Sequence, residues 1–272
     1  MPKIGDFRFT SIMAQFIGPP GTGKSVAAAS FHEASKDRPT YIFDLHGKIR
    51  AIEIAFPGAP IEYDIFRINQ YPEFQRKFNE LQRLTGNARP KTIIVDDYTA
   101  LADMLLEYAK TLRGNDSNRK KENDATNRGV LNLNTLDDYK VEATGFLKII
   151  NCLKEKEYDD THRIMITHMY EYDKENLDGS KEHKVYTSAG AQKLGAKIPG
   201  YFEEVYKFFT KGAKTSNDAT GFFIETQNSG DDIARSIIPG MPKHIDFTRR
   251  KENPEGSLWK ELEKILKEKG YL

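Results

Sequence analysis

Eight consecutive residues, Gly18-Pro19-Pro20-Gly21-Thr22-Gly23-Lys24-Ser25, have the spacing of a phosphate-binding loop: Gly, four free positions, then Gly-Lys-Ser. Glycines let the backbone fold into a nest whose N–H groups converge on one anion. A helix starting there turns its unbonded amides towards the same point. Lys24 is the expected point charge on the β- and γ-phosphates, and the Ser25 hydroxyl the expected Mg²⁺ ligand. Val26 follows as the next helical residue, so the predicted nucleotide-binding set runs from Gly18 to Val26.

Hydrolysis needs more than a phosphate cradle: a metal anchor, a polarised water and a group that senses the γ-phosphate. Asp96 closes the apolar run Thr92-Ile93-Ile94-Val95 and fits the Walker B role, holding Mg²⁺ through water. The plainer alternative is a strand-terminal Asp that caps the next helix. Asp97 either orients the attacking water or faces that same helix terminus. Asp44, at the end of another strand, is a weaker member of the cluster. His168 ends the strand Arg163–Thr167, where ligands of an open parallel sheet bind; it is either a γ-phosphate sensor or a histidine bonded within its loop. Arg235, after the last strand, is either an arginine finger for a neighbouring subunit or a solvated surface residue.

The elements that must position these groups are legible in the pattern. Ser11–Ile17 reads as the strand before the loop, and Val26–Ala34 as an alanine-rich helix. Pro39–Asp44 and Lys91–Asp97 read as strands; the β-branched run in the second suits a strand covered on both faces. Helices are expected over Pro72–Leu84, Thr99–Leu112 and Asp137–Lys154. Arg163–His168 is a further strand, followed by a long polar connection, Glu171–Ala191. Glu204–Thr210 and Gly221–Thr226 form a late β-hairpin. Ser257–Lys269 is an amphipathic helix that Gly270 can stop. Strands alternating with helices predict an α/β three-layer fold, a P-loop NTPase with a mostly parallel central sheet. The expected organisation is a core over residues 1–250 and a C-terminal helix over 251–272, in the same domain or as a tether.

The chain has 272 residues with 41 basic and 40 acidic side chains, a net charge of +1. That balance gives no global pull towards nucleic acid, so such contacts must come from local patches. The candidates are residues 113–134, with Arg113, Arg119, Lys120, Lys121 and Arg128, and the 171–191 connection. Tyr170, Tyr172 and Tyr186 are candidate base-stacking residues. Ordinary solvated loops and core-edge tyrosines explain them equally well. The single cysteine, Cys152, excludes an internal disulfide and fits a reducing compartment. No apolar run reaches membrane-spanning length and the N-terminus lacks a signal-peptide core, so a soluble cytoplasmic protein with no membrane partner is expected.

In order, GPPGTGKS, IFDLHGK, TIIVDDY, RIMITHMY and KLGAKIPGYFEEVYKFF resemble the phage-encoded RecA-like P-loop ATPases, over roughly residues 10–245. Leu194–Val205 is the most family-specific part. The resemblance implies ATP and Mg²⁺ as ligands, with ADP as product. It implies a homo-oligomeric ring or filament, a single-stranded DNA partner, and a role in recombination, annealing or replication in the host cytoplasm. It gives Lys24, Ser25 and Asp96 their phosphate and metal roles and puts His168 at the polar sensor position. Arg235 falls where some relatives carry basic residues that reach the next subunit. Two departures stand out: His46 occupies the place of the usual catalytic Glu, and Asp97 the place of a Ser. Other readings are an AAA+ or packaging-type motor, a small-molecule phosphotransferase or GTP switch, and a slowly hydrolysing interaction protein. The first should carry a helical lid after the core. The second lacks the Asn-Lys-x-Asp guanine-reading motif.

Overall fold

In a computed structural model of the chain, the described residues are 10–115, 135–155, 158–175, 181–189, 192–212, 220–228 and 233–272. Strands β1 (Met13–Ile17), β2 (Thr40–Asp44), β3 (Ile61–Ile65), β4 (Thr92–Asp96), β5 (His162–Thr167), β8 (Glu204–Lys211), β9 (Gly221–Glu225) and β10 (His244–Asp246) form one sheet. Its order is β10-β9-β8-β1-β5-β4-β2-β3. Strands β8, β1, β5, β4, β2 and β3 are mutually parallel, and β9 and β10 add antiparallel pairs at one edge. Strands β6 (Met169–Glu175) and β7 (Lys181–Thr187) pair only with each other, as a separate hairpin.

Alternation along the central strands sends side chains to opposite faces, so two cores form. Phe16, Ile94 and Ile164 meet helices α1 (Lys24–Ala29), α2 (Ile49–Ala55) and α6 (Leu258–Glu268). Ile17, Ile93, Val95 and Met165 meet α3 (Tyr71–Gln82), α4 (Tyr98–Asn115) and α5 (Leu136–Leu153). The result is the three-layer α/β architecture expected. Local signals fix the helix ends. Thr135 and Asp138 form a reciprocal capping box at the start of α5. The Ser257 hydroxyl accepts from the Lys260 amide at the start of α6, and Gly270 follows its end at φ 74°.

Helix α6 is packed into the core behind the P-loop. Leu258, Trp259, Leu262 and Leu266 are buried. The Trp259 ring lies 5.0 Å from Phe31 and 4.9 Å from His162, centroid to centroid. Its amide donates to Ser30 Oγ at 3.0 Å. Phe31 and Ser30 belong to a 3-10 turn, Ser30–Ala34, that continues α1 and replaces the C-terminal part of the expected α-helix.

Three regions differ from expectation. The 171–191 connection is mostly hairpin: β6 and β7 pair from Met169↔Thr187 to Glu175↔Lys181. Its charged sequence lacks the apolar alternation that marks a half-buried strand. Strand β3 is an edge strand with Tyr63 and Ile65 exposed, so burial never imposed a pattern on it. Helix α4 runs on through Arg113, which pairs with Asp138 at 2.9 Å, instead of ending before a loop. The remaining residues of that stretch, including Arg119, Lys120, Lys121 and Arg128, lie outside the described residues. Among the described residues no helix is long and apolar enough to cross a membrane.

The packing of α6 predicts that Trp259→Ala lowers stability by about 3–5 kcal/mol, the range for a buried large aromatic. Urea denaturation of the two proteins measures it, and a loss below about 1 kcal/mol would mean that α6 contributes little to the core.

Candidate functional site

Strand β5 lies between β1 and β4, so the C-terminal ends of three neighbouring parallel strands converge. They deliver the 18–25 loop, His168 and the pair Asp96-Asp97 to one place. The next strand, β2, brings Asp44 into register with Asp96.

The loop is shaped by what packs against it. A Cβ on Gly18 would sit 2.5 Å from the Phe208 carbonyl oxygen, so β8 excludes any side chain there. Gly23 adopts φ 82°, and its Cβ would come 3.2 Å from the Phe222 ring. Thr22 Oγ1 donates to the Pro19 carbonyl at 2.8 Å, and Lys24 Nζ donates to the carbonyls of Gly18 and Pro19, each at 2.8 Å. Burial, then repulsion from Lys48, brings the Lys24 pKa down to about 8, against the opposing pull of Asp97 and Asp96.

The two carboxylates differ although both are buried. Burial pushes the Asp96 pKa up to about 6, against the Ser25 hydroxyl and Lys48, which favour its charged form. Among the described residues Asp96 Oδ1 has no hydrogen-bond partner, and it lies 4.0 Å from Lys48 Nζ. A buried oxygen without a partner beside a serine hydroxyl is a donor set that suits a hard, oxygen-seeking cation such as Mg²⁺. Burial also works against the charge of Asp97, but hydrogen bonds from His168 and the Ala100 amide, with His46 and Lys48 nearby, hold its carboxyl below the usual carboxylate range. Asp97 meets the helix-terminus reading. Its Oδ1 accepts from the Ala100 amide at 3.0 Å and so caps α4. Its Oδ2 lies behind the cleft-lining side chains, 3.2 Å from His46 Nε2, 3.1 Å from His168 Nε2 and 3.1 Å from Lys48 Nζ.

Asp44 has a supporting role. Its Oδ1 accepts from the amides of His46 and Lys48, each at 3.1 Å, and its Oδ2 from the Ile49 amide at 3.0 Å. These bonds fold Leu45-His46-Gly47-Lys48 into a turn that presents His46 and Lys48 to Asp97. Lys48 is the functional candidate the sequence reading missed. Its signal was the short Gly-containing turn directly after a strand-terminal Asp.

A cleft of about 770 Å³ covers these groups, lined by Pro20, Gly21, Gly23–Val26, His46–Lys48 and His168. Next to it is an apolar recess of about 180 Å³ among Val26, Ile54, Phe222 and Phe247, with Arg249 and Glu255 also lining it. Ile54 is 70% exposed there, although apolar. Arg235 is elsewhere: its main chain bridges Val205, and its guanidinium donates to the carbonyls of Pro199 and Phe202, which precede β8. That is the opposite end of the sheet from the 18–25 loop.

Residues 10–236 match the family model described as an AAA domain. No curated protein matches the chain. Solved structures of similar fold include one described as a prototypical ATPase from the type III secretion system of pathogenic bacteria, at 7% identity and a TM-score of 0.41. The similarity covers 74% of this chain and 55% of that one, so this chain spans little more than half its length.

The state of Asp96 gives a pH-dependent prediction. Its folded pKa, about 6, exceeds the ordinary value of 3.8. The folded chain therefore holds this proton more tightly than the unfolded chain, and the stabilisation is present below pH 3.8 and lost as pH rises through 6. At pH 8 the buried charge is a net cost, so Asp96→Asn should stabilise the nucleotide-free protein, by about 1–3 kcal/mol at 1.36 kcal/mol per unit. The same substitution should abolish any extra stabilisation by Mg²⁺ with ATP. Thermal melts at pH 5 and pH 8 test both.

Proposed function

The chain belongs to the AAA-domain family, and from that premise we propose that it is a Mg²⁺-dependent P-loop ATPase of RecA type that acts with DNA in recombination, annealing or replication. The observation that carries the ATPase reading is the meeting of Lys24, Ser25 and Asp96 at the ends of β1 and β4, the strands on either side of β5, beneath one open cleft. ATP is placed with its phosphates along Gly18–Ser25 and its base in the apolar recess. Lys24 exchanges its bonds to the Gly18 and Pro19 carbonyls for the β- and γ-phosphates. Lys48, in the same cleft, supplies a second cation close to the γ-phosphate. Ser25 and Asp96 hold Mg²⁺, which neutralises phosphate charge when bound. Phe222 and Phe247 flank the base, and Val26 and the exposed Ile54 close the slot. His168 contacts the terminal phosphate region from the end of β5.

Among the described residues α6 is the one helix after residue 227, and it is packed into the core. A DNA role is supported by the β6–β7 hairpin. It begins at Met169, directly after His168, and Tyr170 is 59% exposed on it. Contact of single-stranded DNA with this hairpin would reach the γ-phosphate end of the cleft through one residue. A role for Arg235 requires a neighbouring copy in a ring or filament.

Lys24→Ala should weaken ATP binding roughly ten- to hundredfold, for loss of charge-assisted contacts of about 1.5–3 kcal/mol. Phe222→Ala should weaken it by about 1–3 kcal/mol, the worth of one base–aromatic stack, and equally for ATP and its base-matched diphosphate. Equilibrium titration with a fluorescent ATP analogue measures both, and unchanged affinity in Lys24→Ala removes the nucleotide assignment. For the DNA role, the ATPase rate should rise on adding single-stranded DNA, with a mass above the monomer in ATP. A rate indifferent to DNA at low and high salt would leave a nucleotide-driven machine with another partner.

A further inference from the structure

We propose that His46, oriented by the Asp97 carboxylate, is the base that takes the proton from the attacking water; the inference rests on the ATPase reading above. Asp97 Oδ1 is engaged by the Ala100 amide, and the buried Oδ2 faces the cleft-lining side chains His46, Lys48 and His168. His46 Nε2 and His168 Nε2 both lie within hydrogen-bond distance of that oxygen, at 3.2 and 3.1 Å. A carboxylate oxygen can only accept, so each neutral imidazole presents its Nε2–H to Asp97 and keeps its lone pair on Nδ1. One side chain thereby fixes the tautomer of two rings.

Exposure separates the two histidines. His168 Nδ1 is buried, so no water reaches it, and it has no hydrogen-bond partner among the described residues. The His46 side chain is 37% exposed and lines the cleft. Its Nδ1 takes no hydrogen bond among the described residues. His46 therefore has what a general base needs: a fixed ring, a free lone pair and contact with the solvent of the cleft. Its main chain is held as well, since the His46 amide donates to Asp44 Oδ1. The charged and titratable groups around the ring are Asp97 and Asp103 from the α4 side, Lys48 from its own turn, and His168 from the end of β5, with Lys24 and Asp96 across the cleft.

In the step itself, His46 Nδ1 takes a proton as the water oxygen bonds to the γ-phosphorus. The bond from that phosphorus to the β–γ bridging oxygen breaks, and its electron pair leaves with ADP. The imidazolium faces Asp97 through Nε2–H, and Asp97 stays ionised throughout. The proton then passes to solvent through the exposed side of the ring. His46 is the catalytic residue of this step and Asp97 a positioning residue.

The test uses the full chain and compares wild type, His46→Gln, His46→Ala and Asp97→Asn. Gln keeps a donor towards Asp97 but has no basic nitrogen. His46→Gln should lower kcat by about 10²-fold or more, the usual share of a general base, with ATP affinity nearly unchanged. Wild-type kcat should fall on the acid side, and the residual kcat of His46→Gln should not. Added imidazole should restore kcat to His46→Ala in a saturable way, which a structural role would not produce. Asp97→Asn should lower kcat, with no further loss when combined with His46→Gln. The proposal is overturned by His46→Gln turning over within a few-fold of wild type, by absence of imidazole rescue, or by wild type that binds ATP without hydrolysing it. If wild type binds no nucleotide, the ATPase reading falls with it.

Discussion

Two consecutive carboxylates, Asp96 and Asp97, are buried at the end of β4 with 1% and 0% exposure. Buried charges cost several kcal/mol unless they are paired, and the surroundings treat the two differently. Asp97 is given donors on both oxygens and stays ionised. Asp96 is left with an oxygen that accepts no hydrogen bond among the described residues, and burial pushes its pKa up to about 6. Across the cleft, Lys24 is buried among carbonyls with its pKa brought down to about 8. The nucleotide-free cleft is thus a set of charges that lack full partners. A triphosphate with its metal would supply the complement: anionic oxygens for the lysines and a cation for Asp96. On this view the folded chain gives up stability at the cleft and recovers it on binding.

The rest of the fold keeps those charges in place. Insertion of β5 between β1 and β4 sets His168 between the loop and the carboxylates. Asp44 uses its whole carboxylate to fold the turn that carries His46 and Lys48. The Phe208 carbonyl leaves room only for glycine at position 18, and the left-handed backbone beside the Phe222 ring favours glycine at position 23. Helix α6 seals the back of the 3-10 turn that continues α1, through Trp259. The same Phe222 that packs on Gly23 also lines the apolar recess, so phosphate loop and recess are one construction.

Much of this was legible in the sequence because burial and main-chain geometry leave strong marks. The β-branched run before Asp96, the glycine spacing of 18–25 and the apolar stripe of α6 each follow from one physical demand. The features that stayed hidden were polar or exposed. The β6–β7 hairpin is charged along most of its sequence, so it carries no apolar period. Strand β3 lies at an edge and shows Tyr63 and Ile65 to solvent. In the site, Asp44 was visible as a strand-terminal carboxylate, but its use as a main-chain anchor depends on a turn no pattern encodes. Lys48 and the His46–Asp97–His168 contact join three separate chain segments, and only the sheet order brings them together. Arg235, read as a finger for a neighbouring subunit or a surface residue, donates within its own chain to the carbonyls before β8, at the far end of the sheet from the 18–25 loop.

The most direct test is hydrogen–deuterium exchange of the whole protein with and without Mg²⁺ and a slowly hydrolysed ATP analogue. A cradle built from main-chain donors must lose amide exchange where the phosphates land. The account predicts new protection concentrated in residues 18–26 and in the turn 45–48, with a smaller effect at 96–98, and none of it in Lys24→Ala. Protection confined to other segments, or no change at a ligand concentration that saturates binding, would contradict it.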